Sequence, residues 1–151
     1  MLTGEMMYPG QRINDMWKRA MPGSYGSFFD SHTRECHVAL SEIIAVVKED
    51  DVRWVQGVIE EDELRSGVIT DDAVLLVAIR DQSASVSLVP FSNITGLSVT
   101  DAAISTTDDY WPEAGSLAFT LEFTGLGDIH FDKRTADTAA LLEKAVKALT
   151  A

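Results

Sequence analysis

Between residues 52 and 131 apolar side chains recur at every second position in short segments, and this alternation constrains the chain more than any other feature. A period of two places one face of a strand inward and the other outward. Val52-Arg53-Trp54-Val55-Gln56-Gly57-Val58-Ile59 is the first such segment, and the acidic turn Glu60-Glu61-Asp62-Glu63 follows it. Gly67-Val68-Ile69-Thr70 reads as a short second strand, closed by Asp71-Asp72. Residues 74–79 form a continuous apolar run, the pattern of a strand buried on both faces. Asp81-Gln82-Ser83 turns the chain into 85–89, and further strands are expected at 94–99 (extendable to 104), 116–123 and 128–131. Val, Ile, Thr and Phe fill these segments, while Gly, Asp, Asn and Ser separate them. Thr124-Gly125-Leu126-Gly127 reads as a short hairpin connection whose glycines supply positive φ. About seven consecutive antiparallel strands must close or stack to hide their edges.

Two amphipathic helices flank the strands. In residues 31–49, Cys36, Leu40, Ile43, Ile44 and Val47 follow the spacing of one buried stripe. Ser31 is the expected N-cap, Glu35 suits the positive end of the helix, and Asp50-Asp51 stop it. In residues 135–149, Thr138, Leu142, Ala145, Val146 and Leu149 are expected to share a face, with Thr135 as N-cap and Asp137 in the first turn. Lys144 and Lys147 lie near its C-terminal end, where positive charge is favoured.

Residues 1–30 differ from the rest. They hold all five methionines, together with Tyr8, Trp17, Tyr25, Phe28 and Phe29 interleaved with Gly and Pro. Residues 11–20 suit a short helix between the breakers Pro9-Gly10 and Pro22-Gly23. Such adaptable side chains either fold back onto their own domain or dock on a partner. The expected organisation is therefore an arm, 1–30, and one domain, 31–151, that includes both helices. The apolar set from Ser31 onward is taken as a complete core, which leaves Trp17, Phe28 and Phe29 for self-association or a partner.

The order of helix, strands and helix, with its local wording, resembles the bacterial pleckstrin-homology-like domains, relatives of GRAM domains. The likeness rests on several stretches. The first is Gly67-Val68-Ile69-Thr70-Asp71-Asp72-Ala73-Val74-Leu75-Leu76-Val77, a turn entering a central strand, and the second is Val89-Pro90-Phe91-Ser92-Asn93-Ile94-Thr95-Gly96-Leu97-Ser98-Val99. Residues 117–123, Ile129-His130-Phe131 and 135–149 are similar to the family's closing hairpin and capping helix, and 31–49 to its leading helix. The likeness covers roughly residues 38–150. It implies an α+β, mainly β fold: a small bent antiparallel barrel of about seven strands, PH-like, with a leading helix and a C-terminal capping helix. It also implies a non-enzymatic binding scaffold. Lipid-binding members are basic in the first hairpin. Here that turn is Glu60-Glu61-Asp62-Glu63, with Arg65 the only nearby base, so binding of inositol phosphates is not carried over.

Charge narrows the partners further. With 24 acids against 12 Lys and Arg, the 151-residue chain carries a net −12, which disfavours nucleic acid and anionic membranes. The longest apolar run, residues 73–79, is too short to cross a bilayer as a helix. Residues 1–10 lack the basic start and apolar core of a secretory signal. A single cysteine, Cys36, excludes an internal disulfide and suits the cytoplasm.

Chemistry-bearing constellations are sparse. His32, Cys36, His37 and His130 invite a zinc reading. Cys36, however, sits in the middle of an apolar stripe with His32 and His37 on opposite edges, so no metal, cofactor or catalytic residue is expected. Gly23-Ser24-Tyr25-Gly26-Ser27 is not a nucleophile elbow, and Gly125-Leu126-Gly127 is a turn, not a phosphate cradle. The acids at 50–51, 60–63, 71–72 and 108–109 all fall in turns, where local hydrogen bonding favours them. Tyr110 and Trp111, in the loop of residues 107–115, are candidate interface aromatics.

The expectation is a non-catalytic protein-interaction module of the cytoplasm. It would bind a protein partner or self-associate, with a homo-oligomer possible, through Trp17, Phe28, Phe29, Tyr110, Trp111 or a sheet edge. The alternative is an acidic protein that mimics nucleic acid to inhibit a DNA-binding protein; a small enzyme ranks below both.

Overall fold

The computed structural model describes residues 8–101, 117–132 and 136–151. The chain divides into two compact units, Met1–Leu88 and Val89–Ala151.

In the first unit three helices precede the strands: α1 (Gln11–Ala20), α2 (Tyr25–Ser31) and α3 (Thr33–Val46). A 3-10 turn at Glu49–Asp51 leads into β1 (Trp54–Glu60), β2 (Glu63–Ile69), β3 (Ala73–Arg80) and β4 (Ser83–Pro90), whose last two residues belong to the second unit. The strands form one sheet in the order β1-β2-β3-β4. β1 and β2 pair antiparallel from Trp54↔Ile69 to Glu60↔Glu63, so the acidic turn narrows to Glu61-Asp62. Both turn residues have positive φ, 51° and 62°, as a two-residue hairpin turn demands.

One face of this sheet is built from Leu64, Ser66 and Val68 of β2 with Leu75, Val77 and Ile79 of β3, all buried. The helices cover it with Ile13, Met16, Trp17, Tyr25, Phe28, Cys36, Ala39, Leu40 and Ile43, in a single apolar cluster. α1 lies against β1 and α3 against β3. Ile13, Met16, Trp17, Met21, Tyr25 and Phe28 therefore belong to the core of the first unit. A helix covers only a strip about 10 Å wide, so α3 alone cannot hide a four-stranded sheet.

Long-range hydrogen bonds hold α1 in place. No side chain of its own caps it. Glu49 does so instead, accepting from Gly10 N at 3.3 Å and Arg12 N at 2.7 Å, while Arg12 Nη2 donates to Val52 O at 2.8 Å. Gly10 has φ +87, and a Cβ there would lie 2.8 Å from Leu40 Cβ, so only glycine fits this turn.

The helix expected over 31–49 is α3, which runs only from Thr33 to Val46, and a break at His32 separates it from α2. Ser31 ends the earlier helix instead of capping the later one. Cys36, Leu40 and Ile43 are buried as the stripe requires, and Ile44 and Val47 are partly so.

In the second unit a 3-10 turn, Phe91–Asn93, precedes β5 (Ile94–Asp101), β6 (Leu117–Phe123), β7 (Gly127–Phe131) and α4 (Ala136–Thr150). The sheet order is β5-β6-β7, antiparallel throughout, with a bulge in β5 between Ile94 and Gly96. Phe119 and Phe131 stack at 4.7 Å between centroids, and Phe91 meets Phe123 edge-on at 5.6 Å. α4 packs on β5, with Lys144 Nζ 4.8 Å from the Phe91 ring centroid. Among its described side chains Thr138, Leu141 and Ala145 are buried, Leu142 is half-buried, and Val146 and Leu149 are exposed. The expected face is thus rotated toward Leu141.

Among the described residues seven strands form, in two antiparallel sheets of four and three that are not closed into a barrel. Pro90 has no backbone N–H to continue the ladder, and the 3-10 turn after it ends the strand run before β5 begins.

Candidate functional site

His32 is the one residue between α2 and α3, and its backbone (φ −132, ψ 36) leaves the helical region. Its N–H donates to Phe28 O at 2.9 Å and its carbonyl accepts from Cys36 N at 2.9 Å, so it closes one helix and opens the next. This break turns the imidazole onto the Phe28 ring, stacked at 4.1 Å and 13°. Only 2% of the residue is exposed. Nδ1 lies 3.1 Å from Phe28 O.

The other ring nitrogen faces two hairpin turns. Nε2 is 2.9 Å from Asp81 Oδ1 in the β3–β4 turn and 3.4 Å from Asp62 Oδ2 in the β1–β2 turn. Both aspartates are otherwise well exposed, at 67% and 77% for Asp62 and Asp81 respectively. Register brings them together. Leu64 pairs with Ile79 across β2 and β3, and two further steps along that ladder set Asp62 level with Asp81. Gln82, at φ 61, donates its N–H to Glu35 Oε2 at 2.7 Å, which ties the second turn to the first turns of α3.

Despite this closeness, Nε2 has no aligned hydrogen bond. The Asp81 carboxylate touches it as an ion-pair contact, off the ideal N–H direction. Burial depresses the basicity of the imidazole. The Phe28 carbonyl, the Asp62 and Asp81 charges and the Asp81 contact together outweigh burial and hold the pKa above its ordinary value. The Gln82 N–H is the largest cause holding the Glu35 carboxyl below its usual range. Three donor atoms, His32 Nε2 and one oxygen from each aspartate, lie within 4.8 Å of one another.

The residues singled out from sequence fall elsewhere. Trp17 is fully buried and donates from Nε1 to Ser66 Oγ; Phe28 is 5% exposed beneath His32. Neither is an exposed anchor for a partner, because the sheet face needs both as cover. Phe29 is half-buried, 5.9 Å from Tyr25 and 5.6 Å from His37 between ring centroids. Tyr110 and Trp111 lie outside the described residues. Of the zinc-like set, Cys36 is buried beside the Tyr25 hydroxyl and His37 meets Tyr8 edge-on at 5.4 Å. His130 belongs to the second unit, with Nε2 3.1 Å from Asp132 Oδ1 and Nδ1 2.8 Å from Thr120 Oγ1. In the sequence Asp62 and Asp81 read only as acids in two separate turns. The signal that links them is that the first and third turns of an up-and-down sheet share one end.

Comparison with family models, curated proteins and solved structures yields no match. Among the described residues, no helix is long and apolar enough to cross a membrane.

Proposed function

We propose that the chain is a non-catalytic protein-interaction module of the cytoplasm with a pleckstrin-homology-like architecture, and that β4 is the edge on which a partner strand pairs. The observation that carries this reading is the composition of that edge. β4 has one neighbour, β3, among the described strands. Its eight residues, Ser-Ala-Ser-Val-Ser-Leu-Val-Pro, contain no charge. Ser83, Ser85, Ser87, Leu88 and Pro90 are exposed.

Proteins that do not use a free edge guard it with charge, a bulge, shortness or a cover. The other edges have such guards. β1 ends in Glu60 and is covered by α1; β5 is bulged; β7 is short and carries Asp128 and His130. Among the described residues β4 has only the terminal Pro90. An unguarded row of backbone donors and acceptors suits an added strand, with shallow contacts for alternate side chains. Seven antiparallel strands followed by a helix on the last sheet support the family likeness.

The nucleic-acid mimic has only the net charge in its favour. Several acids work within the fold: Glu49 caps α1, Glu35 holds the Gln82 turn, Asp71 pairs with Arg53 at 2.8 Å, and Glu63 with Arg80 at 3.3 Å.

The test is hydrogen exchange on the full chain, alone and with a partner captured from native cytoplasm. Binding should protect the amides of residues 83–90. Single prolines at Ser85, Val86 and Ser87 should weaken capture at alternate positions while the chain stays folded, since an edge strand tolerates proline. Protection confined to other residues, or capture indifferent to all three prolines, removes the proposal.

A further inference from the structure

We propose that His32, Asp62 and Asp81 bind a divalent transition-metal ion, with zinc as the ion whose chemistry fits best. The site is separate from the β4 edge, and neither reading depends on the other.

The argument begins with the histidine. A backbone carbonyl only accepts, so the 3.1 Å contact with Phe28 O keeps a hydrogen on Nδ1. The two carboxylates favour a proton on Nε2, and a bound ion takes the place of that proton and meets the nitrogen lone pair between them. A carbonyl or carboxylate on the far nitrogen is the usual outer support of a metal-bound histidine, because it fixes the tautomer and the ring plane. The stacked Phe28 ring fixes the plane from the other side.

Acidic turns alone would carry no such conclusion. What singles this pair out is a nitrogen that is almost wholly buried, lacks an aligned hydrogen bond and is aimed between them. Its contacts with the two carboxylates are electrostatic and not aligned hydrogen bonds, and an ion seated between the three atoms would meet all of them along their lone pairs.

Distances agree. Ligand bonds of about 2.0–2.2 Å place neighbouring donor atoms roughly 3–3.6 Å apart. Nε2 already stands 2.9 and 3.4 Å from the two oxygens. All three donors lie within 4.8 Å, and the exposed carboxylates need only side-chain rotation to close on an ion. The tie from Glu35 to Gln82 N holds the Asp81 turn in place.

Two carboxylates balance a double positive charge, and the imidazole nitrogen selects zinc-like ions over magnesium and calcium, which take oxygen. Three protein ligands leave the solvent side open for water or a further ligand.

The test is calorimetric titration of the full chain with zinc chloride in excess magnesium, backed by X-ray absorption at the zinc edge. One zinc per chain is expected, with an imidazole among its ligands. Asp62→Asn and Asp81→Asn sit on exposed turns and leave the core alone. Each should weaken binding beyond the roughly 10–100-fold typical of losing an outer-shell partner. The double variant should abolish binding, and Asp50→Asn, an exposed acid elsewhere, should bind like the wild type. The proposal fails if no stoichiometric zinc binds, if the double variant still binds it, or if His37→Gln rather than the aspartate variants removes it. Failure with zinc would leave His32 as an imidazolium clamped by two aspartates and no metal site.

Discussion

The indole Nε1 of Trp17 donates a 2.8 Å hydrogen bond to Ser66 Oγ, joining α1 to strand β2 across 49 residues of chain. Both residues are fully buried. The Ser66 hydroxyl passes its own hydrogen to Gln56 O at 2.6 Å, on neighbouring β1. One serine thus satisfies the only polar atom of the largest core side chain and pins the helix to two strands.

Replacing Ser66 with alanine should cost about 1–3 kcal/mol, because it leaves the indole N–H buried without an acceptor. Denaturant unfolding should show a lower midpoint with an unchanged slope. Trp17→Phe in the Ser66→Ala background should cost less than the two single changes summed, since the orphaned donor goes with it. Strict additivity would mean that the hydrogen bond carries no coupling.

Deletion of residues 1–30 should abolish the cooperative thermal transition of the first unit. Ile13, Trp17, Tyr25 and Phe28 all leave the cluster that covers β2 and β3. Removing one large buried aromatic alone costs about 3–5 kcal/mol, a large part of a domain's whole stability. Calorimetry of the truncated chain decides the matter. A sharp transition at an unchanged temperature would return these residues to the role of an accessory arm.

Cys36 should be inert in the native protein and should weaken it in alkali. Desolvation pushes its thiol up to about 11, against a smaller opposing effect of the Tyr25 hydroxyl. The folded state therefore holds the proton more tightly than the unfolded state. The stability this contributes is complete below the ordinary thiol value, roughly 8.5, and is lost as the pH rises toward 11. The Tyr25 phenol, also raised by burial, acts in the same direction. A thiol reagent should label Cys36 at neutral pH only at the rate of unfolding, and the denaturation midpoint should fall across the alkaline range. Fast labelling of folded protein would show that the thiol is accessible.

The local elements were legible because their causes are local. Period-two alternation, with the apolar run of 74–79, marked the seven described strands, and the breakers Pro9-Gly10 and Pro22-Gly23 bounded α1, which spans Gln11–Ala20 as expected. The stripe of Cys36, Leu40 and Ile43 named the inner face of α3. The break at His32 was not visible, since it depends on the imidazole stacking on Phe28 and reaching the two turns.

Which elements share a core, and which side chains meet, was decided by tertiary structure. Periodicity states that a side chain is buried but not what buries it. Trp17 and Phe28 therefore read either as a docking arm or as cover for their own domain, and the apolar face of β2 and β3 is what they cover. The same holds for the division into sheets of four and three, because backbone pairing between strands leaves no mark in the alternation of either. Asp62 and Asp81 stand far apart in the chain, each an unremarkable turn acid. Only the register of β2 against β3 sets them side by side, and only the helix break places a buried nitrogen between them.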